Sequence, residues 1–199
     1  MPSTIPEGTN PFIWHSEQIN YQSYEGLPWA RTGKETPETK EKTNQVRDEI
    51  LTKKPIFSDT RGTTHATDIG GGEVVVLTNF PQAKLAVRGN HYHPVKTESF
   101  TYRGENPAYV ILATLTKTVW AAFKLQDGDC FTNDPNIIHG VALPKDSQLI
   151  SYNSAGFTPG DTTGRRGNQP LLPVQEFDVM NEGLLRHFFP ELRNVENLV

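Results

Sequence analysis

One cysteine, Cys130, stands in the 199 residues, so the chain can form no intrachain disulfide and no cysteine-rich zinc or iron–sulfur site. Basic residues are also short: 19 Lys and Arg face 23 Asp and Glu, a net charge of −4. That balance gives no electrostatic footprint for nucleic acid or for an anionic membrane surface. No apolar run approaches the length needed to cross a bilayer. The first residues, MPSTIPEGTNPF, carry neither a basic start nor an apolar stretch, and a cytoplasmic protein is therefore expected. Internal repeats and low-complexity tracts are absent too. What the chain does have is 16 glycines and 15 prolines beside a 35% apolar fraction, which suits many short elements joined by turns. The length allows one domain with a substantial core.

Three zones follow. Residues 1–54 read as an N-terminal arm and a charged helix. The arm, to about residue 33, looks irregular, with prolines at 2, 6, 11 and 28. Its aromatics, among them Phe12, Trp14, Tyr21, Tyr24 and Trp29, point to packing over the barrel or over a partner subunit. Thr36 before Pro37, with Glu38 and Glu41 behind, predicts a helix start, and Val46, Ile50 and Leu51 fall at helical spacing. Residues 55–165 carry strand texture: 73–80, 99–103, 109–116, 119–125, 137–143 and 148–153 are rich in β-branched and aromatic residues and separated by Gly, Asn, Asp and Pro. Short strands at this rhythm predict an antiparallel barrel or sandwich. Residues 166–199 form a C-terminal extension. Its 182–192 stretch reads as a short helix, behind a Gly/Thr/Arg-rich turn at 158–168.

The chemistry concentrates in Arg88-Gly89-Asn90-His91-Tyr92-His93-Pro94-Val95-Lys96-Thr97-Glu98. Strand residues two apart share a face, so His91 and His93 can point inward while Tyr92 points away, with Glu98 arriving from the next strand. Two imidazoles and a carboxylate suit a divalent first-row metal, and His139 supplies a further imidazole. These segments resemble the paired motifs of the cupin superfamily. The first motif, His-x-His, three or four residues, Glu, then Gly, matches His91, His93, Glu98 and Gly104. Here the family's leading glycine is absent and Gly104 comes one residue early. The second matches if Asp134 takes the place of a proline and Asn136 that of a glycine, between Gly128 and His139. Asn tolerates the left-handed conformation which that glycine would supply. The resemblance implies an all-β fold, a cupin double-stranded β-helix (jelly-roll barrel) with the N-terminal arm and helix and a short C-terminal helix added. It also implies one divalent transition metal, Zn, Fe, Ni or Mn, on His91, His93, Glu98 and His139. His15, His65 and His187 lack partners at useful spacing.

Two longer stretches, Phe57-Ser58-Asp59-Thr60-Arg61-Gly62 and Arg88-Gly89-Asn90-His91-Tyr92-His93, are similar to cupins that act on nucleotide-linked keto-sugars, the epimerases, ketoisomerases and capsular-polysaccharide enzymes. The 153–162 segment is similar to the capsular type. This resemblance implies a small-molecule substrate of the nucleotide-sugar kind and metal-assisted proton transfer beside a keto group. Tyr152 and Tyr102 are the candidate acid/base residues, each also readable as a packed aromatic with a bonded hydroxyl. Arg88, with Arg61 assisting, is the candidate for a diphosphate. Metal-free sugar epimerases lack the full quartet, so their mechanism does not carry over.

Other functions fit the same residues. Three histidines and one glutamate also hold iron in oxygen-activating cupins, and Cys130 would favour a soft or redox metal if its strand parity turned it toward the ion. A non-enzymatic barrel binding a small ligand is the third reading. A homodimer is expected under all of them, because open sheet edges in such barrels are commonly covered by a second subunit.

Overall fold

A computed structural model describes residues 5–80, 85–155, 179–195 and 198. Among these residues twelve strands form two antiparallel sheets. The strands are β1 (Gln22–Tyr24), β2 (Leu27–Lys34), β3 (Phe57–Asp59), β4 (Gly62–Ile69), β5 (Gly72–Asn79), β6 (Leu85–His91), β7 (Glu98–Arg103), β8 (Ala108–Thr114), β9 (Trp120–Leu125), β10 (Asp129–Asn133), β11 (Ile137–Pro144) and β12 (Gln148–Asn153). The large sheet runs β1-β2-β10-β7-β12-β5-β4-β3 and the small one β6-β11-β8-β9. The last eight strands in sequence thus pass back and forth between the sheets at every step except β8 to β9, with β5, β12, β7 and β10 in one sheet and β6, β11, β8 and β9 in the other. That interleaving is the strand order of an eight-stranded jelly roll built from two Greek keys. The expected double-stranded β-helix is therefore the fold observed.

Among the described residues three helices cover it. Asn10 caps α1 (Pro11–Gln18), its side chain accepting from the Phe12 and Ile13 amides, and Pro11 opens the first turn. Thr36 and Pro37 do the same for α2 (Pro37–Leu51), which buries Thr39, Thr43, Val46 and Ile50, one face at helical spacing. Asn181 caps α3 (Glu182–Phe188), which a single 3-10 turn, Pro190–Leu192, extends.

Apolar clusters lie on both sides of each sheet. Between the sheets pack Phe100, Tyr102, Val110, Leu112, Phe131, Leu143 and Leu149. Outside the small sheet, Ile111, Ile138 and Ala142 meet Leu185 and Phe189 of the C-terminal segment. Outside the large sheet, Val74, Val76, Ile150 and Tyr152 meet Trp14, Val46 and Ile50 of α1 and α2. A sheet covered on both faces reads as continuous apolar runs, and all eight residues of β11 are buried.

Two local expectations change. The arm is regular over much of its length: α1 lies on the barrel, and β2 joins the large sheet by pairing its residues 30–34 with all five residues of β10. Strand β10 itself falls in a stretch that reads as turn and motif loop, yet Cys130, Phe131, Thr132 and Asn133 are buried in mid-sheet. The turn expected at 158–168, the barrel boundary at 165 and the part of the capsular-type segment beyond residue 155 lie outside the described residues. Among the described residues no helix is long and apolar enough to cross a membrane.

Candidate metal centre

His91 ends β6, His139 lies opposite it on β11, Glu98 opens β7, and His93 sits in the connection between β6 and β7. Their donor atoms all lie within 4.8 Å of one another. His91 Nε2 is 3.1 Å from His93 Nε2, and Glu98 Oε2 is 3.3 Å from His93 Nε2 and 3.2 Å from His139 Nε2. Donors held about 2.1 Å from a shared ion stand roughly 3.0–3.4 Å apart along the edges of its coordination shell, which matches these contacts. Glu98 Oε2 is moreover buried without a hydrogen bond of acceptable geometry. A buried carboxylate oxygen facing two ring nitrogens in that way fits a cation between them. The residues thus fit a divalent transition metal with N3O ligation, and nothing in the donor set selects among Zn, Fe, Ni and Mn.

The backbone explains how a short segment delivers this set. In a regular strand Arg88 and His91, three apart, would face opposite ways. Here His91 pairs with His139 and Gly89 with Gly140, so Asn90 is an extra residue, and Gly89 and Asn90 both have positive φ, 82° and 61°. This β-bulge resets the parity and turns both side chains into the barrel. A Cβ on Gly89 would stand 2.6 Å from the His139 carbonyl oxygen. Gly89→Ala is therefore expected to cost about 2 kcal/mol or more in a denaturant melt and to weaken metal uptake, whereas Gly71→Ala, at φ 83° with open space around it, should carry only the backbone strain of about 1 kcal/mol and leave metal uptake unchanged. Asn136, at φ 65°, takes the left-handed turn expected of it, and its amide donates to the His93 carbonyl at 2.8 Å. Thr132 Oγ1 donates to the Glu98 carbonyl at 2.8 Å, fixing the start of β7.

Electrostatics favour the ligating protonation states. Burial opposes ionisation of Glu98, but His93, His139 and Lys96 outweigh it and hold the carboxyl well below the usual carboxylate range. Burial carries His139 down to about 4, against the pull of Glu98, so its ring is neutral near pH 7.

Three of the four, His91, Glu98 and His139, line a cavity of about 110 Å³. Registered residues on the large sheet build its wall in rows: Glu98, Asn153 and Glu73 beside the quartet, then Phe100, Ser151 and Val75, then Leu149 and Leu77. Arg88, Lys96 and, from the facing sheet, Val141 complete it. Arg88 is only 2% exposed, with Nη1 3.9 Å from Asp59 Oδ1. Its guanidinium thus belongs to the cavity wall and not to an outer rim. Arg61 is not among the lining residues. Its Nε donates to Asp59 Oδ2 at 2.9 Å and its Nη1 to the Val87 carbonyl at 2.9 Å, which braces the β3–β4 hairpin against β6.

Neither tyrosine lines this cavity. Tyr102 does face inward, by parity with Glu98, but four residues further along β7, about 13 Å away. Its hydroxyl donates to the Asn106 carbonyl, and burial pushes it up to about 12. Tyr152 shares β12 with the cavity residues Ser151 and Asn153 but has the opposite parity. It points outward beneath α1, stacked on His15 with ring centroids 4.0 Å apart. Both occupy packed positions outside the lining of the cavity. Cys130 also faces outward, its Sγ 3.3 Å from Thr101 Oγ1 and its thiol pushed up to about 12 by burial, so it gives no ground for a soft or redox metal. The sequence reading passed over Glu73, Lys96, Ser151 and Asn153. Glu73 carried one signal, a charged residue in step with Val75 and Leu77 at the start of an apolar strand.

No protein-family model and no curated protein matches the sequence. Solved structures align with part of the chain. CapF, the capsular polysaccharide assembling protein of Staphylococcus aureus, is 18% identical over 52% of this chain and 29% of its own, with a TM-score of 0.44. Bacillus subtilis oxalate decarboxylase, a protein with Mn(II) centres, is 17% identical over 55% and 30%, with a TM-score of 0.45. WlaRA, a TDP-fucose-3,4-ketoisomerase from Campylobacter jejuni, is 11% identical over 43% and 61%, with a TM-score of 0.37. The matched region thus spans about three tenths of the first two proteins. Likeness at this level concerns the fold alone, which the strand order establishes independently.

Proposed function

We propose that the protein is a metal-dependent isomerase of a small keto compound, with a nucleotide-linked keto-sugar as the substrate class. The observation that carries this reading is the convergence of His91, His93, Glu98 and His139 beside a small cavity whose adjoining wall bears a second carboxylate, Glu73. A divalent ion there would polarise a carbonyl oxygen and make the neighbouring C–H bond acidic. The protein's part is to hold the four ligands, orient the carbonyl against them, and keep the reacting carbon among Val75, Phe100 and Val141.

Size bears on how such a substrate would sit. Enclosed pockets for whole drug-sized ligands run to roughly 300–1,000 Å³. At about 110 Å³ the cavity admits part of a sugar ring and leaves a nucleotide outside. Arg88, deep in the wall, would then face the sugar and not the diphosphate expected from the sequence. A homodimer remains part of the proposal, and the exposed Ile56 and Phe57 at edge strand β3 offer an apolar margin for it.

The test is deuterium wash-in. Protein loaded with each of Zn, Fe, Ni and Mn is incubated in D2O with a nucleoside-diphosphate 4-keto-6-deoxyhexose, and the carbons beside the carbonyl are followed by NMR. Label entering with at least one metal, and not with a His91→Ala, His139→Ala variant, is the expected result. No label with any metal would sink the isomerase reading, and oxygen uptake by the iron form would replace it with the dioxygenase one.

A further inference from the structure

We infer that Asn90 is a positioning residue of the metal centre: it ties residues 179 and 180 to the bulge that aims His91, so that docking of the C-terminal segment and binding of the ion support each other. The inference goes beyond the isomerase reading and rests on the metal centre alone.

Three observations carry it. First, the ladder between β6 and β11 skips Asn90. His91 pairs with His139 and Gly89 with Gly140, and the residue between them has no register partner on β11. Gly89 and Asn90 both sit at positive φ, and a non-glycine residue there persists only when its surroundings hold it. Second, the C-terminal segment supplies that hold. The Val179 amide donates to Asn90 Oδ1 at 3.2 Å, and Asn90 Nδ2 donates to the Met180 carbonyl oxygen at 3.2 Å. A side-chain amide that accepts one bond and donates the other stands in for a peptide group in a strand ladder. Third, Met180 also rests against the opposite strand. A Cβ on Gly140 would stand 2.6 Å from Met180 Cβ and 3.2 Å from Asn90 Oδ1, so the seat is one that only glycine leaves open. Asn90 precedes His91 and Gly140 follows His139, and the segment therefore touches the neighbours of two of the four candidate ligands.

The segment is itself firmly placed. Val179 and Met180 are buried, 0% and 2% exposed, in the apolar cluster that Leu185 and Phe189 form with the outer face of the small sheet. Movement of α3 would thus be felt at Asn90, and through it at His91. The geometry leaves little slack, since metal–ligand distances tolerate only about 0.2 Å. A clamp that holds His91 where the ion needs it raises affinity for the ion, and by linkage the ion holds the clamp closed by the same factor.

Zinc affinity and hydrogen exchange test this together. Asn90→Gly keeps the left-handed backbone and removes both bonds. Val179→Pro removes one bond from the other side, because proline has no amide proton, and leaves the bulge sequence untouched. Zinc is titrated against a chelator of known affinity, and exchange of the 182–192 amides is followed by mass spectrometry with and without the ion. In the wild type zinc should slow that exchange by about tenfold, and in Asn90→Gly it should leave the rate nearly unchanged. Asn90→Gly should bind zinc about tenfold more weakly than the wild type, and Val179→Pro should weaken it in the same direction. A residue that merely stabilised the fold would speed the exchange equally with and without zinc. Equal zinc affinities in wild type and Asn90→Gly, or exchange in the wild type that is indifferent to zinc, would overturn the coupling and leave the metal centre standing. A wild-type protein that takes up no zinc would overturn both.

Discussion

His139→Ala should lose its metal and, with it, the stabilisation the metal brings. Structural zinc sites bind with about 10–16 kcal/mol shared over four ligands, so one ligand accounts for a fall in affinity of roughly a hundredfold or more. Ligand binding to the folded state alone adds about 4 kcal/mol when the ion is present at a thousand times its dissociation constant. In a chain of this length that is on the order of 10 °C in Tm. The expected pattern is therefore a wild type whose melting point drops by about that much on adding a chelator and recovers on adding metal, beside a variant that responds to neither. The neighbourhood makes the variant informative. His139 is 3% exposed and packs 5.7 Å from the Phe100 ring, so truncation leaves a small void but no stranded cation. The cost of the void appears in both chelated proteins, and the chelator response isolates the metal. A variant that holds one ion per chain and still shifts with chelator would mean that the four residues are not the site.

How far the sequence led can be read from particular residues. Strands β8 and β11 were legible because Ala108–Ala113 is apolar throughout and Ile137–Leu143 is apolar but for His139, as burial on both faces requires. Helix α2 was legible from Thr36, Pro37 and the buried Val46 and Ile50. The four residues of the His/Glu cluster were legible because a metal demands specific atoms, whatever the register. Side-chain direction was not. Strand patterning identifies an inner face only when the other face is polar, and here Ile150 and Tyr152 are as buried under α1 and α2 as Leu149 is inside the barrel. Nothing in the one-letter pattern of β12 says that Ser151 and Asn153, its polar members, are the ones facing the cavity. The bulge at Gly89 and Asn90 was hidden for a related reason. Alternation counted through it puts Arg88 on the outside, and only the positive φ of two successive residues brings it in. Strand β2 was missed because Pro28 and Gly33 discourage a strand assignment, although its pairing partner β10 needs hydrogen bonds only from residue 30 onward.

His15 should make the fold acid-sensitive by one proton. Its imidazole is fully buried beneath α1, stacked on Tyr152, with Nε2 2.9 Å from Thr101 Oγ1. Burial, reinforced by the Arg103 guanidinium, carries its pKa down to about 3 from the ordinary 6.5. The sign follows directly. Above pH 6.5 the ring is neutral in both the folded and the unfolded chain, and its contribution is complete. Below that, the unfolded chain takes up a proton that the folded one refuses, so stability falls by about 1.4 kcal/mol per pH unit until the folded value near 3 is reached. Between pH 6.5 and 4.5 this one residue should cost about 2.3 kcal/mol, since the unfolded ring is already half protonated at the upper limit. The charges around it do not relieve the loss, since Arg103 repels the imidazolium and is itself paired with Glu35 at 2.7 Å. Denaturant melts of chelated protein across that range, wild type against His15→Phe, give the measurement. The phenylalanine ring keeps the stacking on Tyr152 and gives up the hydrogen bond to Thr101, a loss that does not vary with pH. The wild-type slope should exceed the variant's by about one proton, as His139 and the carboxylates titrate alike in both. Parallel slopes would show that His15 accepts its proton within the fold, with the layer under α1 opening to admit it.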